Sequence, residues 1–147
     1  MPIEIQNFSH IVMPVSNLEA SIAFYTGLLG LEKIFEQEVP DPGKQGGTRS
    51  MVGCLVGGSV VIEFGANRAF PEVVDGSASP ILAFSVVDIE QTHRAVLEAG
   101  VKPLMGPREM APGLMMLFVC DPDGRTIEFA QFPSGLANSA EYALAEH

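Results

Sequence analysis

The chain has 147 residues, 47% of them hydrophobic, and a formal net charge of −10 from 8 Lys and Arg against 18 Asp and Glu. That length suits one domain, or two small subdomains that share a core. With no Lys/Arg cluster to neutralise phosphates, the charge excludes nucleic acid and anionic membrane surfaces as partners and leaves small molecules or proteins.

Cys54 and Cys120 are too far apart in sequence for a zinc knuckle and too few for a disulfide framework, so both are expected as reduced core residues. The first residues, Met-Pro-Ile-Glu-Ile-Gln, offer neither a basic start nor an apolar stretch of export length. No segment approaches the ~20 apolar residues of a membrane-spanning helix, and a cytoplasmic protein is expected.

In chain order, residues 8–15 read as a strand whose one departure from apolar character is His10. Ser16-Asn17-Leu18-Glu19 then offers a capping box, a hydroxyl for the open amides with a Glu three residues on. Leu18, Ile22, Phe24, Tyr25, Leu28 and Leu29 form a stripe at helical spacing, and Gly30 suits a left-handed stop. Residues 31–38 resume as a strand. Residues 40–47, Pro-Asp-Pro-Gly-Lys-Gln-Gly-Gly, are the most turn-rich stretch and predict a loop, either a lid or a linker. A strand beginning near Thr48 leads through Met51 to Val56, a Gly57-Gly58 turn and a second strand ending Ile62-Glu63-Phe64. Residues 67–79 mix Gly, Pro, Asp and Ser and read as a connector.

The pattern then restarts. Residues 81–87 predict a strand, Asp88-Ile89-Glu90-Gln91 a second capping box, and a helix follows to Gly100. Residues 102–105 read as a strand and 106–113 as a Pro/Gly-rich loop. A long hairpin from Met115 to Phe132 turns at Asp121-Pro122-Asp123-Gly124, where Pro presets φ and Gly supplies a positive one. Arg125, just past the turn, is expected to be solvated. Residues 137–146 suit a C-terminal helix.

Laid over one another, the halves place Val15 on Val86, Asn17 on Asp88, Leu18 on Ile89 and Glu19 on Glu90, and both end in Ile-Glu-Phe. The chain is therefore an internal βαβββ repeat, with modules of about 8–66 and 80–132 and an extension at 133–147. In strands, Ile62 and Phe64 share one face while Glu63 points to the other, as do Ile127 and Phe129 against Glu128. A Glu amid such residues is costly to bury unpaired, so each should meet water, a cation or a substrate.

Two βαβββ modules, a first-strand His, a last-strand Glu in each module and the Asp-Pro-Asp-Gly turn resemble the vicinal oxygen chelate superfamily, from about Phe8 to Phe132. That group includes glyoxalase I, methylmalonyl-CoA epimerase, extradiol dioxygenases, fosfomycin-resistance enzymes and bleomycin-resistance proteins. The resemblance implies an α+β fold, two βαβββ modules forming a curved mixed sheet around a cavity, and a homodimer. It also implies four inward positions, which carried over are His10, Glu63, Ile81 and Glu128. Glyoxalase I would have a second His where this chain has Ile81.

The remaining imidazole and two carboxylates suit a divalent ion such as Zn, Ni, Co, Mn or Fe, with coordination positions left for water or a bidentate substrate. His93 and His147 are not obvious replacements for the missing ligand. The two-His-one-carboxylate iron site of extradiol dioxygenases is not available from the usual positions, which disfavours oxygen activation. By resemblance to glyoxalase I, Glu128 is the base that removes a proton beside a carbonyl. The expected activity is that of a glyoxalase- or epimerase-like lyase or isomerase. The alternative is a sequestering protein of the bleomycin-resistance type, for which Ile81 supplies an apolar wall. Arg49 is a candidate for holding a substrate carboxylate. Ile81, Met110, Met115 and Phe118 are candidate contacts for an apolar part of the substrate, since methionines adapt to irregular ligands.

Overall fold

A computed structural model describes residues 2, 4–40, 47–58, 60–66 and 80–145. The expected loop at 40–47, apart from its ends, the connector at 67–79, and His147 lie outside the described residues. The chain divides into two compact units, 1–76 and 77–147, and the fold is α+β with one βαβββ module in each.

Unit one runs β1 (His10–Val15), α1 (Leu18–Ile22), a π-helical continuation (Ala23–Leu28), β2 (Glu32–Pro40), β3 (Thr48–Val56) and β4 (Val60–Ala66). Its sheet order is β1-β4-β3-β2, with β1 parallel to β4 and the other pairs antiparallel. Unit two repeats this with β5 (Leu82–Ser85), α2 (Ile89–Glu98), β6 (Met105–Ala111), β7 (Leu114–Cys120) and β8 (Thr126–Gln131), in the order β5-β8-β7-β6. A short α3 (Ser139–Leu144) follows.

Each sheet has one dry face. In unit one Met13, Val15, Val52, Cys54, Ile62 and Phe64 are buried on it with Phe24 and Tyr25. The Tyr25 ring lies tilted at 4.5 Å from Phe64 and edge-to-face at 5.0 Å from Phe24, geometry in which aromatic pairs gain beyond their buried area. In unit two Leu117, Val119, Ile127 and Phe129 make the same face, with Ile89 and Val96 of α2 also buried. The alternation around each Ile-Glu-Phe thus appears as expected, with Glu63 and Glu128 on the opposite faces.

The helix starts follow side-chain capping, with one correction. Asp88 accepts from the amides of Glu90 and Gln91 at 3.0 and 3.1 Å. In unit one the cap is Asn17, whose Oδ1 accepts from the Ala20 amide at 3.0 Å, rather than the Ser16 hydroxyl. An amide oxygen caps as well as a hydroxyl, and Asn17 is the residue that the repeat aligns with Asp88. The stops are as read: Gly30 and Gly100 have φ of 68° and 77°.

The expected loop at 106–113 is largely a strand. β6 pairs with β7, and the hairpin turns at Pro112-Gly113. β6 is an edge strand, where Pro107 loses no ladder bond, and the register slips between Met105 and Arg108 to accommodate it. Arg125 also departs from expectation, because its Nη1 lies 3.2 Å from the buried Asp121 carboxylate. Asp121 Oδ1 accepts from the amides of Asp123 and Arg125, both at 2.9 Å, so the Asp-Pro-Asp-Gly stretch is a structural turn. The C-terminal helix is shorter than 137–146, and its Tyr142 hydroxyl donates to the Pro112 carbonyl at 3.0 Å, tying α3 to the β6–β7 turn.

Ser21 is fully buried and its hydroxyl has no hydrogen-bond partner among the described residues. A buried hydroxyl left unmatched costs about 1–3 kcal/mol, and Ala is the better helix former. Ser21→Ala is therefore expected to raise stability, by about 1 kcal/mol in a urea unfolding curve. Both cysteines are free thiols, Cys54 buried and Cys120 half-buried. Among the described residues no helix is long and apolar enough to cross a membrane.

Candidate functional site

The wet face of the first sheet gathers the first two expected ligands. In the β1–β4 register His10 pairs with Val61 and Val12 with Glu63, which puts His10 and Glu63 on one side, two residues apart. Their side chains meet, with His10 Nε2 3.4 Å from Glu63 Oε2 and 43% and 21% of the respective side chains exposed. Ser9 Oγ lies 2.8 Å from His10 Nδ1. The tautomer sets the direction of the Ser9 bond; only with the proton on Nδ1, donated to Ser9, is Nε2 available to ligate a cation. Two donors about 2.0–2.1 Å from a tetrahedral ion stand roughly 3.3–3.4 Å apart. The pair fits one edge of such a coordination sphere.

Arg49 reaches the same face. Its Nη1 would lie 2.7 Å from a Cβ on Gly65, whose position projects to the same side as Glu63, two residues before it. The guanidinium rests where Gly65 has no side chain. A similar approach occurs at Gly53, which faces Glu63 across the β3–β4 ladder and is covered by the Phe35 ring. Phe35 and these two glycines escaped the reading of the sequence. Their signal was there, since Gly inside a strand marks a place where another group comes close.

In unit two, Glu128 stands between Ala83 of β5 and Phe118 of β7. The pairing of Leu82 with Ile127 and Ala83 with Glu128, continued back by one residue, sets Ile81 two residues before Glu128's partner. His10 has that same relation to Glu63. Ile81 is 52% exposed, an apolar side chain at the register position of an imidazole.

Burial pushes the Glu128 carboxyl above its ordinary value of 4.5, and no cation offsets that within its unit. Among the described residues its carboxylate makes no hydrogen bond or ion pair. Phe118 shares its face; Met115 does not. Met115 pairs with Gln131, in the alternation of Leu117 and Val119, and is withdrawn from the contacts expected beside Glu128. Met110, half exposed, sits where the β6–β7 register shifts between Glu109 and Ala111. Among the described residues no cluster of three His, Cys, Asp or Glu gathers for one ion. The pair in unit one is the part of the expected donor set that the structure brings together.

Each unit thus carries one βαβββ module, with a His-Glu pair on the wet face of the first sheet and a partly buried Glu at the matching register position of the second. Residues 7–129 match the Glyoxalase/Bleomycin resistance protein/Dioxygenase superfamily. The chain belongs to that superfamily. It is 32% identical over 137 residues to the lactoylglutathione lyase of Haemophilus influenzae, covering 88% of this chain and 97% of that one. Among solved structures it resembles a glyoxalase family protein from Enterococcus faecalis, 26% identical with a TM-score of 0.66 over 85% of this chain and 97% of that one. The fosfomycin resistance protein of Mesorhizobium loti, 18% identical with a TM-score of 0.62 over 86% and 91%, shares the fold.

Proposed function

We propose that the chain is a glyoxalase- or epimerase-like lyase or isomerase that removes a proton beside an oxygen function of a small substrate. Glu128 is the base, and His10, Glu63 and Glu128 are the ligands of one divalent ion, Zn, Ni, Co, Mn or Fe. The observation that carries this reading is the His10–Glu63 pair, whose 3.4 Å spacing suits two donors of one ion. An ion held there supplies positive charge where negative charge develops on the substrate oxygen.

The protein's own groups do the rest. Ser9 orients the His10 ring, a supporting bond that commonly matters 10–100-fold for a metal ligand. Glu128 takes the proton on its carboxylate; burial raises its pKa in the metal-free chain, and an ion bound to it would work in the opposite direction. Phe118, Ile81 and Met110 are assigned to the apolar part of the substrate. The kinship with a lactoylglutathione lyase makes lactoylglutathione the first compound to assay. Metal-dependent formation or cleavage of it by the purified chain, lost on treatment with a chelator, is the expected result; turnover unaffected by chelation would refute the metal's part.

The same reading assigns the active form to a homodimer, in the cytoplasm, where two unpaired thiols stay reduced. Light scattering should report twice the chain mass at micromolar concentration. A second reading, a sequestering protein without chemistry, draws on the half-exposed Ile81 in place of a ligand. Any turnover that disappears in Glu128→Gln eliminates it.

A further inference from the structure

We propose that the ligand of this site carries a carboxylate, received by Arg49, and that Arg49 selects for an anionic end held one same-face strand position beyond the His10–Glu63 pair. The inference deepens the functional reading above and rests on it for the location of the reacting end. It needs only unit one, where every group involved lies on one sheet face.

The geometry is a row. Along β4 the residues facing this side are Val61, Glu63 and Gly65. His10 stands beside Val61 and closes on Glu63, while the Arg49 guanidinium lies against Gly65. Successive same-face positions on a strand are ~7 Å apart. Imidazole, carboxylate and guanidinium therefore follow one another, with the cation one step beyond the pair. By register, Arg49 is the one Lys or Arg on this face among the described residues, since Lys33 pairs with Cys54 and points to the other side.

Two further features suit an anion. The planar fork of Arg receives a carboxylate with two parallel hydrogen bonds, which a point charge on a flexible stem does not reproduce. A chain of net charge −10 repels anions from most of its surface, so preference for the more anionic of two ligands requires a local cation. Gly65 is the device that sets the guanidinium's place, and a Cβ there would displace the far end of a flexible side chain while leaving the backbone where it is.

The test compares two acids of equal chain length, 2-oxoglutarate and 2-oxopentanoate, which share the vicinal oxygens and differ in a terminal carboxylate against a methyl. Calorimetric titration of the full chain in the presence of ZnCl2 is expected to show tighter binding of 2-oxoglutarate, by on the order of 10-fold or more for a charge-assisted contact. Arg49→Met should remove the preference, so that the two acids bind with equal affinity, and Arg49→Lys should keep part of it. Gly65→Ala, with the guanidinium intact but moved, should reduce it and keeps the test valid if Arg49→Met does not fold. Equal affinities in wild type, a preference that survives in Arg49→Met, or no binding of 2-oxoglutarate at millimolar concentration overturns the proposal. Zn²⁺ affinity, measured without either acid, reads the functional proposal separately: an Arg49-dependent preference in a chain that binds no Zn²⁺ would retire the metal and keep the anion site.

Discussion

Glu128→Gln is expected to lower turnover about 10²–10⁴-fold, the usual contribution of a positioned base, while making the protein more stable at neutral pH. Gln keeps the shape of the side chain between Ala83 and Phe118 but cannot accept the proton. The stability gain follows from the raised carboxyl pKa, whose cause is burial. From the ordinary value of 4.5 up to the raised folded value, the folded chain binds more protons than the unfolded one, so stability falls as pH rises across that interval. Stability from this group is fully present below 4.5 and lost above the folded value. Gln carries no charge to desolvate. Unfolding midpoints of wild type and variant should therefore converge in acid and separate at pH 7 with the variant higher. A divalent ion favours the ionised carboxylate, so saturating Zn²⁺ should reverse the order at pH 7. A variant less stable than wild type at pH 7 without metal would contradict the desolvated state of Glu128.

Ile81→His should raise affinity for Zn or Ni by roughly 10–100-fold. The β5–β8 register gives residue 81 the relation to Glu128 that His10 has to Glu63, so the substitution supplies the second imidazole of the glyoxalase I pattern without adding charge. Exposure of the site means that no core volume is disturbed. If His10, Glu63 and Glu128 hold the ion as proposed, a further protein ligand would occupy a coordination position that a bidentate substrate needs, so turnover should fall or change even as metal binding improves. Identical titrations for wild type and variant would show that residue 81 does not belong to the ligand set.

Much of this was readable from the residues because it depends on short-range rules. The alternation in Ile62-Glu63-Phe64 and Ile127-Glu128-Phe129 assigns faces with no knowledge of partners, and Asp88 and Gly100 bound a helix by local chemistry alone. Features that depend on a neighbouring strand were not readable. Pro107 and Gly106 look like loop residues, and only the edge position of β6 makes them tolerable in a ladder. Met115 lies near Phe118 in sequence, but its alternation with Leu117 and Val119 assigns it to the dry face. The widening of the first helix into a π-helix over Ala23–Leu28, which accompanies burial of the adjacent Phe24 and Tyr25, has no counterpart in the apolar stripe. Arg125 could be placed only once Asp121 was seen to be buried beneath it.

The most direct measurement is Zn²⁺ stoichiometry and affinity, by elemental analysis and calorimetric titration, of wild type, His10→Ala, Glu63→Ala and Glu128→Ala. One ion per chain is expected, with binding lost or reduced at least 10-fold in each of the three variants, because under the proposed function each removes one of three protein ligands. Wild-type affinity in Glu128→Ala would show that Glu128 is no ligand, and a full complement of Zn²⁺ in His10→Ala would contradict the account at its centre.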